Sequence, residues 1–229
     1  MAAHLITGAG SGIGAVLAER LAERGDDLWL LARDARRAAE LRERFPGAKT
    51  LVGDLADPAK LSWALGHQAL PVELDSLLHV AGVVELGPVG DLPVKAWQQT
   101  LNVNLVAPAE LTRLLLPSLR LTRGHVVFVN SGAGLNAHAD WSAYAASKHG
   151  LKALADSLRL EESAAGIRVT SVYPGRTATP MQVKVHQQEG REYDAERWIA
   201  PESVARAVIA ALEASRDAHV TEITVRPGN

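Results

Sequence analysis

The chain has 229 residues, a formal net charge of -2, 47% hydrophobic and 22% charged residues, and no cysteine. That length and balance suit one globular core. They leave no basic patch for nucleic acid, no polybasic run for a membrane surface, and no thiol for a disulfide, a metal site or a nucleophile. No apolar run is long enough to span a bilayer. The start lacks the charged leader and long apolar stretch of a signal peptide, so the expected location is the cytoplasm.

In chain order, strands are expected near residues 3–7, 27–32, 48–52, 75–80, 124–130, 167–173 and 220–225. Helical patterns fall between them, near 12–24, 35–44, 58–65, 95–117, 141–164 and 202–214. This alternation predicts a three-layer α/β fold, a parallel sheet of about seven strands covered by helices on both faces. The continuous apolar run Val126–Val129 suits a strand buried on both sides. Asp57-Pro58 and Ala200-Pro201-Glu202 read as helix starts, and Gly166 as a helix stop. Nothing divides the chain, so residues 1–229 are expected to form one domain.

The first strand ends at Thr7 and runs into Gly8, Ala9, Gly10, Ser11, Gly12, Ile13 and Gly14 before a helix begins. Gly8 allows the tight turn. Gly12 and Gly14 remove Cβ atoms that would block a pyrophosphate, and the helix start offers free N–H groups and partial positive charge. Strand, glycine turn and helix in that order predict a Rossmann-type dinucleotide cradle.

The second strand ends at Ala32 with no carboxylate to accept from ribose hydroxyls. Arg33 follows and can pair with a 2′-phosphate, so NADP(H) is preferred to NAD(H). The rival reading is a solvated arginine at a helix start; Arg36 and Arg37 could assist Arg33, with solvent the favoured place for both. Beyond the third strand, Asp54 is placed to accept from the adenine amino group, or else to cap the next turn, and Leu55 flanks the ring. At the fourth strand, Ala81 and Gly82 permit close backbone approach.

Tyr144 and Lys148 lie four apart, one turn along a helix face. A tyrosine has an ordinary pKa of about 10, and bringing it to 7 takes roughly 4 kcal/mol. A nearby ammonium favours the phenolate, as does an oxidised nicotinamide. Lys148 also has donors for ribose hydroxyls. Ser131, just past the fifth strand, is placed to hydrogen-bond a substrate oxygen. Pro108 has no N–H to give the carbonyl of Asn104, so the turn there should open and leave room for a water leading to Lys148. Asn102 is a weaker rival because no proline stands four residues after it.

These residues resemble the short-chain dehydrogenase/reductase family, over nearly the whole chain. The resemblance implies an oxidoreductase that interconverts a carbonyl and a secondary alcohol by hydride transfer. It makes Tyr144 the general acid/base, Ser131 the group that polarises the substrate oxygen, Lys148 the residue that lowers the phenol pKa and binds ribose, and Asn104 the holder of a relay water. It also implies that Pro174, Gly175, Thr177 and Thr179 flank the nicotinamide. Residues 176–200 are expected to form a variable flap over a small-molecule substrate. Trp141, Met181, Tyr193 and Trp198 are without assigned roles. Where the family often has two asparagines, the chain has His79 and Val80, which puts the ties between neighbouring strands in doubt. A homo-oligomer, tetramer or dimer, is implied, and the helix carrying Leu101, Val103, Leu105, Val106, Leu111 and Leu114 has little polar face. Scattered histidines give no metal-ligand spacing, so no catalytic metal is expected. The rival class is a silent nucleotide-sensing or interaction protein on the same fold.

Overall fold

The computed structural model describes residues 1–228. Seven parallel strands form one sheet in the order β3-β2-β1-β4-β5-β6-β7. They are β1 (Ala3–Thr7), β2 (Asp27–Ala32), β3 (Lys49–Val52), β4 (Ser76–His79), β5 (His125–Val129), β6 (Arg168–Pro174) and β7 (Glu222–Val225). The strand order reverses between β1 and β4. In a doubly wound sheet this is where a crevice opens at the carboxyl ends of the strands.

Successive residues of a strand face opposite sides of the sheet. Ile6, Leu30, Leu78 and Val127 pack on one side with Leu17 and Leu21 of α1 (Gly12–Glu23). Leu5, Leu31, Leu77 and Phe128 pack on the other with Leu115 and Leu151. Both faces are therefore dry, which is why Val126–Val129 of β5 reads as an unbroken apolar run. Asp34 starts α2 (Ala35–Arg44) by accepting from the Arg37 N–H at 2.8 Å. The expected start at Asp57-Pro58 is a short 3-10 turn, Pro58–Lys60, leading into α3 (Leu61–Gly66).

The run expected as one helix over 95–117 is three pieces. They are α4 (Val94–Leu101), a π-helical turn (Asn102–Val106) and α5 (Ala107–Thr122). Pro108 supplies no N–H, and the Ala107 N–H reaches back to the carbonyl of Asn102. The next helix, α6 (Ser142–Glu161), carries Tyr144 and Lys148, and the chain leaves it through Gly166 at φ +73°. The expected flap contains a helix that periodicity did not announce, α7 (Pro180–Gln188), with Thr179 before a proline at its first position. The last helix, α8 (Pro201–Glu213), starts at Ala200-Pro201-Glu202 as expected.

Candidate active site

A single cleft of about 1530 Å³ runs across the carboxyl ends of the strands. It is lined by every predicted site residue except Asn104: the turn from Gly8 to Gly14, Arg33, Asp54, Leu55, Ala81, Gly82, Ser131, Tyr144, Lys148, Pro174, Gly175, Thr177 and Thr179. The topology gathers most of these, because they sit at or just beyond the ends of strands, while α6 brings in Tyr144 and Lys148.

The glycine turn has the shape a pyrophosphate needs. Gly8 has φ +76°, and a Cβ there would meet Ala81 backbone at 2.9 Å. A Cβ on Gly14 would meet the Gly8 carbonyl oxygen at 2.3 Å, so the helix can approach the strand only without one. Ser11 precedes α1 without a side-chain cap, which leaves the first N–H groups of the helix available to an anion. Thr179 lies against Gly12, so the segment after β6 closes over the cradle. The residues present therefore fit a dinucleotide.

At the adenosine end, Arg33 is 67% exposed and its Nε donates to Asp34 at 3.1 Å. Arg37 departs from the expectation that it faces solvent. It is half-buried, and its Nη2 donates to the Gly10 carbonyl at 3.1 Å, so it leans over the turn. Its place at the third residue of a helix capped by Asp34 is the sequence signal for this. Asp54 caps the following turn, accepting from the Ala56 N–H at 2.9 Å, while Asp57 makes no side-chain cap.

The ties that His79 and Val80 put in doubt are made by other atoms. Thr7 Oγ1 accepts from the N–H groups of Val80 at 3.0 Å and Ala81 at 3.1 Å, binding β1 to the end of β4. His79 is buried, shares a hydrogen bond with Thr112 of α5 at 2.9 Å, and stacks on Phe128. Burial alone pushes its pKa down to about 3.

Tyr144 is only 5% exposed, under Val84, Ala133 and Val185. Lys148 is equally buried, its Nζ donating to the Val129 carbonyl at 3.0 Å and lying 5.8 Å from the centre of the Tyr144 ring. Burial disfavours both charged forms. It pushes the Tyr144 phenol up, against a hydrogen bond to Ser131 that pulls it down, and brings Lys148 down to about 8. In the protein by itself desolvation of the phenol outweighs its favourable contact with Ser131.

Asn104 stands behind the cleft. Its Oδ1 accepts from the Val83 N–H and its Nδ2 donates to the Val83 carbonyl, both at 2.9 Å, and to Ser147 Oγ at 3.0 Å. A Cβ built on Gly82 would lie 3.4 Å from Asn104 Oδ1 and 3.8 Å from Lys148 Nζ. The missing side chain thus leaves a gap between them. Asn102 is directed elsewhere, donating to the Ala56 carbonyl at 3.0 Å. Ser147, invisible to motif reading, joins the site by accepting from Asn104 and donating to the Tyr144 carbonyl at 2.7 Å. Asn130 also went unread. It donates to the Lys148 carbonyl at 3.0 Å and helps fix α6 against β5.

Comparison with known proteins agrees with this geometry. Residues 2–190 match the family model for short chain dehydrogenase. The chain belongs to the short chain dehydrogenase family. An uncharacterized oxidoreductase of Staphylococcus saprophyticus is 30% identical, covering 97% of this chain and 96% of its own. The sepiapterin reductase of Chlorobaculum tepidum is 33% identical, covering 97% and 95%. A protein of Beutenbergia cavernae solved with bound NADP superposes with a TM-score of 0.81 at 28% identity, covering 98% and 95%. As a short chain dehydrogenase, the protein is an oxidoreductase acting between CH–OH and C=O groups with a nicotinamide cofactor. No described helix is long and apolar enough to cross a membrane.

Proposed function

We propose that this short chain dehydrogenase prefers NADP(H) and interconverts a ketone or aldehyde and its alcohol, with Tyr144 as general acid/base. The reading is carried by one observation: a buried phenol that lines the same cleft as Ser131, with the only buried ammonium of α6 beside its ring. When bound, the nicotinamide supplies or accepts the hydride and, when oxidised, adds a positive charge at the site. In reduction, Tyr144 gives its hydroxyl proton to the carbonyl oxygen; in oxidation it takes a proton from the alcohol. Ser131 hydrogen-bonds that same oxygen. Lys148 holds the ribose hydroxyls and favours the phenolate over the phenol. Asn104 holds a relay water in the gap at Gly82, beside Lys148, and so returns protons to Tyr144 from solvent.

NADP(H) is favoured by the absence of a carboxylate at Ala32 and by Arg33 and Arg37 at the cleft wall. Gly8, Gly10, Ser11, Gly12, Ile13 and Gly14 take the pyrophosphate, and Pro174, Gly175, Thr177 and Thr179 the nicotinamide side. The whole chain works as one domain in the cytoplasm, with 176–200 as the flap. A homo-oligomer accounts for the exposed Val94, Val106, Leu121 and Leu160. The test is Tyr144→Phe against wild type on a panel of ketones, aldehydes, quinones and secondary alcohols. Turnover should fall by orders of magnitude while NADPH binding persists. Equal turnover would end the mechanism, whereas a wild type inactive on the whole panel would favour a silent nucleotide-sensing protein.

A further inference from the structure

Tyr144 stands in an apolar cluster drawn from the loops after β4 and β5 and from α6 and α7. Val84, Ala133 and Val185 are buried against it, while Leu86, Trp141 and Met181 are only partly buried and line the cleft. The Trp141 ring lies 5.7 Å from that of Tyr144 at an interplanar angle of 69°, an edge-to-face arrangement that aromatic pairs favour. Met181 reaches the other half of the catalytic pair. A Cβ on Gly82 would lie 3.6 Å from Met181 Cε and 3.8 Å from Lys148 Nζ, so the methyl and the ammonium face the same gap. Trp141 and Met181 thus set open apolar surface beside Tyr144 and Lys148.

The Trp141 indole is braced from the flap. The Arg176 guanidinium carbon lies 5.8 Å from its ring centre and 5.4 Å from that of Trp198, and Glu189 accepts from two Arg176 nitrogens at 2.8 and 2.5 Å. A cation tied down over an indole helps to hold the ring in place. The same contact engages both charges. The pattern continues along α7. Lys184 donates to Glu85 and to the Val84 carbonyl, Gln188 donates to Glu85, and Gln182 hydrogen-bonds His186. The polar side chains that α7 and Glu189 turn to the cleft are therefore already bonded to protein, and the free surface left to a ligand is apolar. Asp140 and Arg191, which also line the cleft, are exposed and opposite in sign.

We infer that Trp141 sets the specificity of the proposed reaction, and that the substrate is an uncharged ketone or aldehyde, or its alcohol, carrying an aromatic ring that lies against this indole. The inference rests on Tyr144 being the reacting group. With the substrate oxygen at Tyr144, a group on the neighbouring carbon falls along the adjoining wall of Trp141. A carboxylate or a row of hydroxyls there would lose water without gaining a free partner. A ring gains burial and joins an existing aromatic pair.

Unreactive amides shaped like the substrate test the wall apart from turnover. Failure of the wall shows in their binding, and failure of the oxidoreductase mechanism in the Tyr144→Phe comparison. The measurement is ligand-observed NMR titration of the enzyme saturated with NADP⁺, with benzamide, acetamide and benzoate as probes. Benzamide should bind about thirtyfold tighter than acetamide and about tenfold tighter than benzoate. Trp141→Ala should weaken benzamide about tenfold, and Trp141→Phe should restore it to within about threefold of wild type. Benzoate bound as tightly as benzamide would overturn the uncharged substrate. A Trp141→Ala protein that holds benzamide as tightly as wild type would overturn the role of Trp141. The wild-type comparison needs no variant: equal binding of benzamide and acetamide would overturn the aromatic wall even where Trp141→Ala does not fold.

Discussion

His79 should make this protein acid-sensitive. It is 3% exposed, its ring lies 4.9 Å from that of Phe128 at an interplanar angle of 6°, and its single hydrogen-bond partner is Thr112. Burial lowers its pKa from 6.5 to about 3. The folded state therefore keeps the ring neutral, while the unfolded chain takes up a proton below pH 6.5. The unfolded state binds more protons, so stability falls as pH falls from about 6.5 towards 3. At about 1.4 kcal/mol per pH unit, the loss at pH 5 is about 2 kcal/mol from this one residue. His79→Gln keeps an amide nitrogen to meet Thr112 and cannot take up a proton in this range. His125, also lowered to about 3 by burial, contributes equally to both proteins and cancels in the comparison. Urea denaturation of the two proteins at pH 7, 6 and 5 is the assay. Wild type should lose about 2 kcal/mol more than the variant between pH 7 and 5; parallel losses would refute the reasoning.

Other consequences are as direct. Gly14→Ala should abolish NADPH binding, followed by nicotinamide fluorescence, and lower stability by about 1–3 kcal/mol, because the new Cβ would lie 2.3 Å from the Gly8 carbonyl oxygen. Gly66→Ala, where a Cβ meets nothing within 4 Å, should bind NADPH as wild type does; a similar loss in both would point away from the cradle. Arg33→Gln should raise the KM for NADPH about fivefold and leave that for NADH unmoved, since only the former carries the 2′-phosphate. A wild-type preference for NADH would reverse the cofactor assignment. Light scattering should give the mass of a dimer or tetramer, and a monomer would contradict the proposed assembly.

The alternation of short apolar runs with longer helical patterns was enough to specify a parallel sheet, because a strand buried on both faces is apolar throughout, as Val126–Val129 of β5 is. The chemistry was legible for a related reason. Pyrophosphate needs glycines at fixed spacing, and a phenol and an amine four apart must share a helix face. Pro108 announced a break in the helix but not its form, since a missing N–H can be met by a kink or by a π turn. Arg37 was misjudged because its target, the Gly10 carbonyl, lies 27 residues away in sequence.

Sequence by itself determined the layers and the glycine turn, and it brought Tyr144 and Lys148 forward as the proposed reacting pair, all of which depend on spacing within one strand, turn or helix. Only the tertiary structure decided the electrostatics. Whether Tyr144 is acidified depends on how deeply α7 and the loop after β4 bury it, and whether Arg176 braces Trp141 depends on where two indoles settle. Such properties come from the desolvation of a group by residues far away in the chain, and no local pattern encodes that.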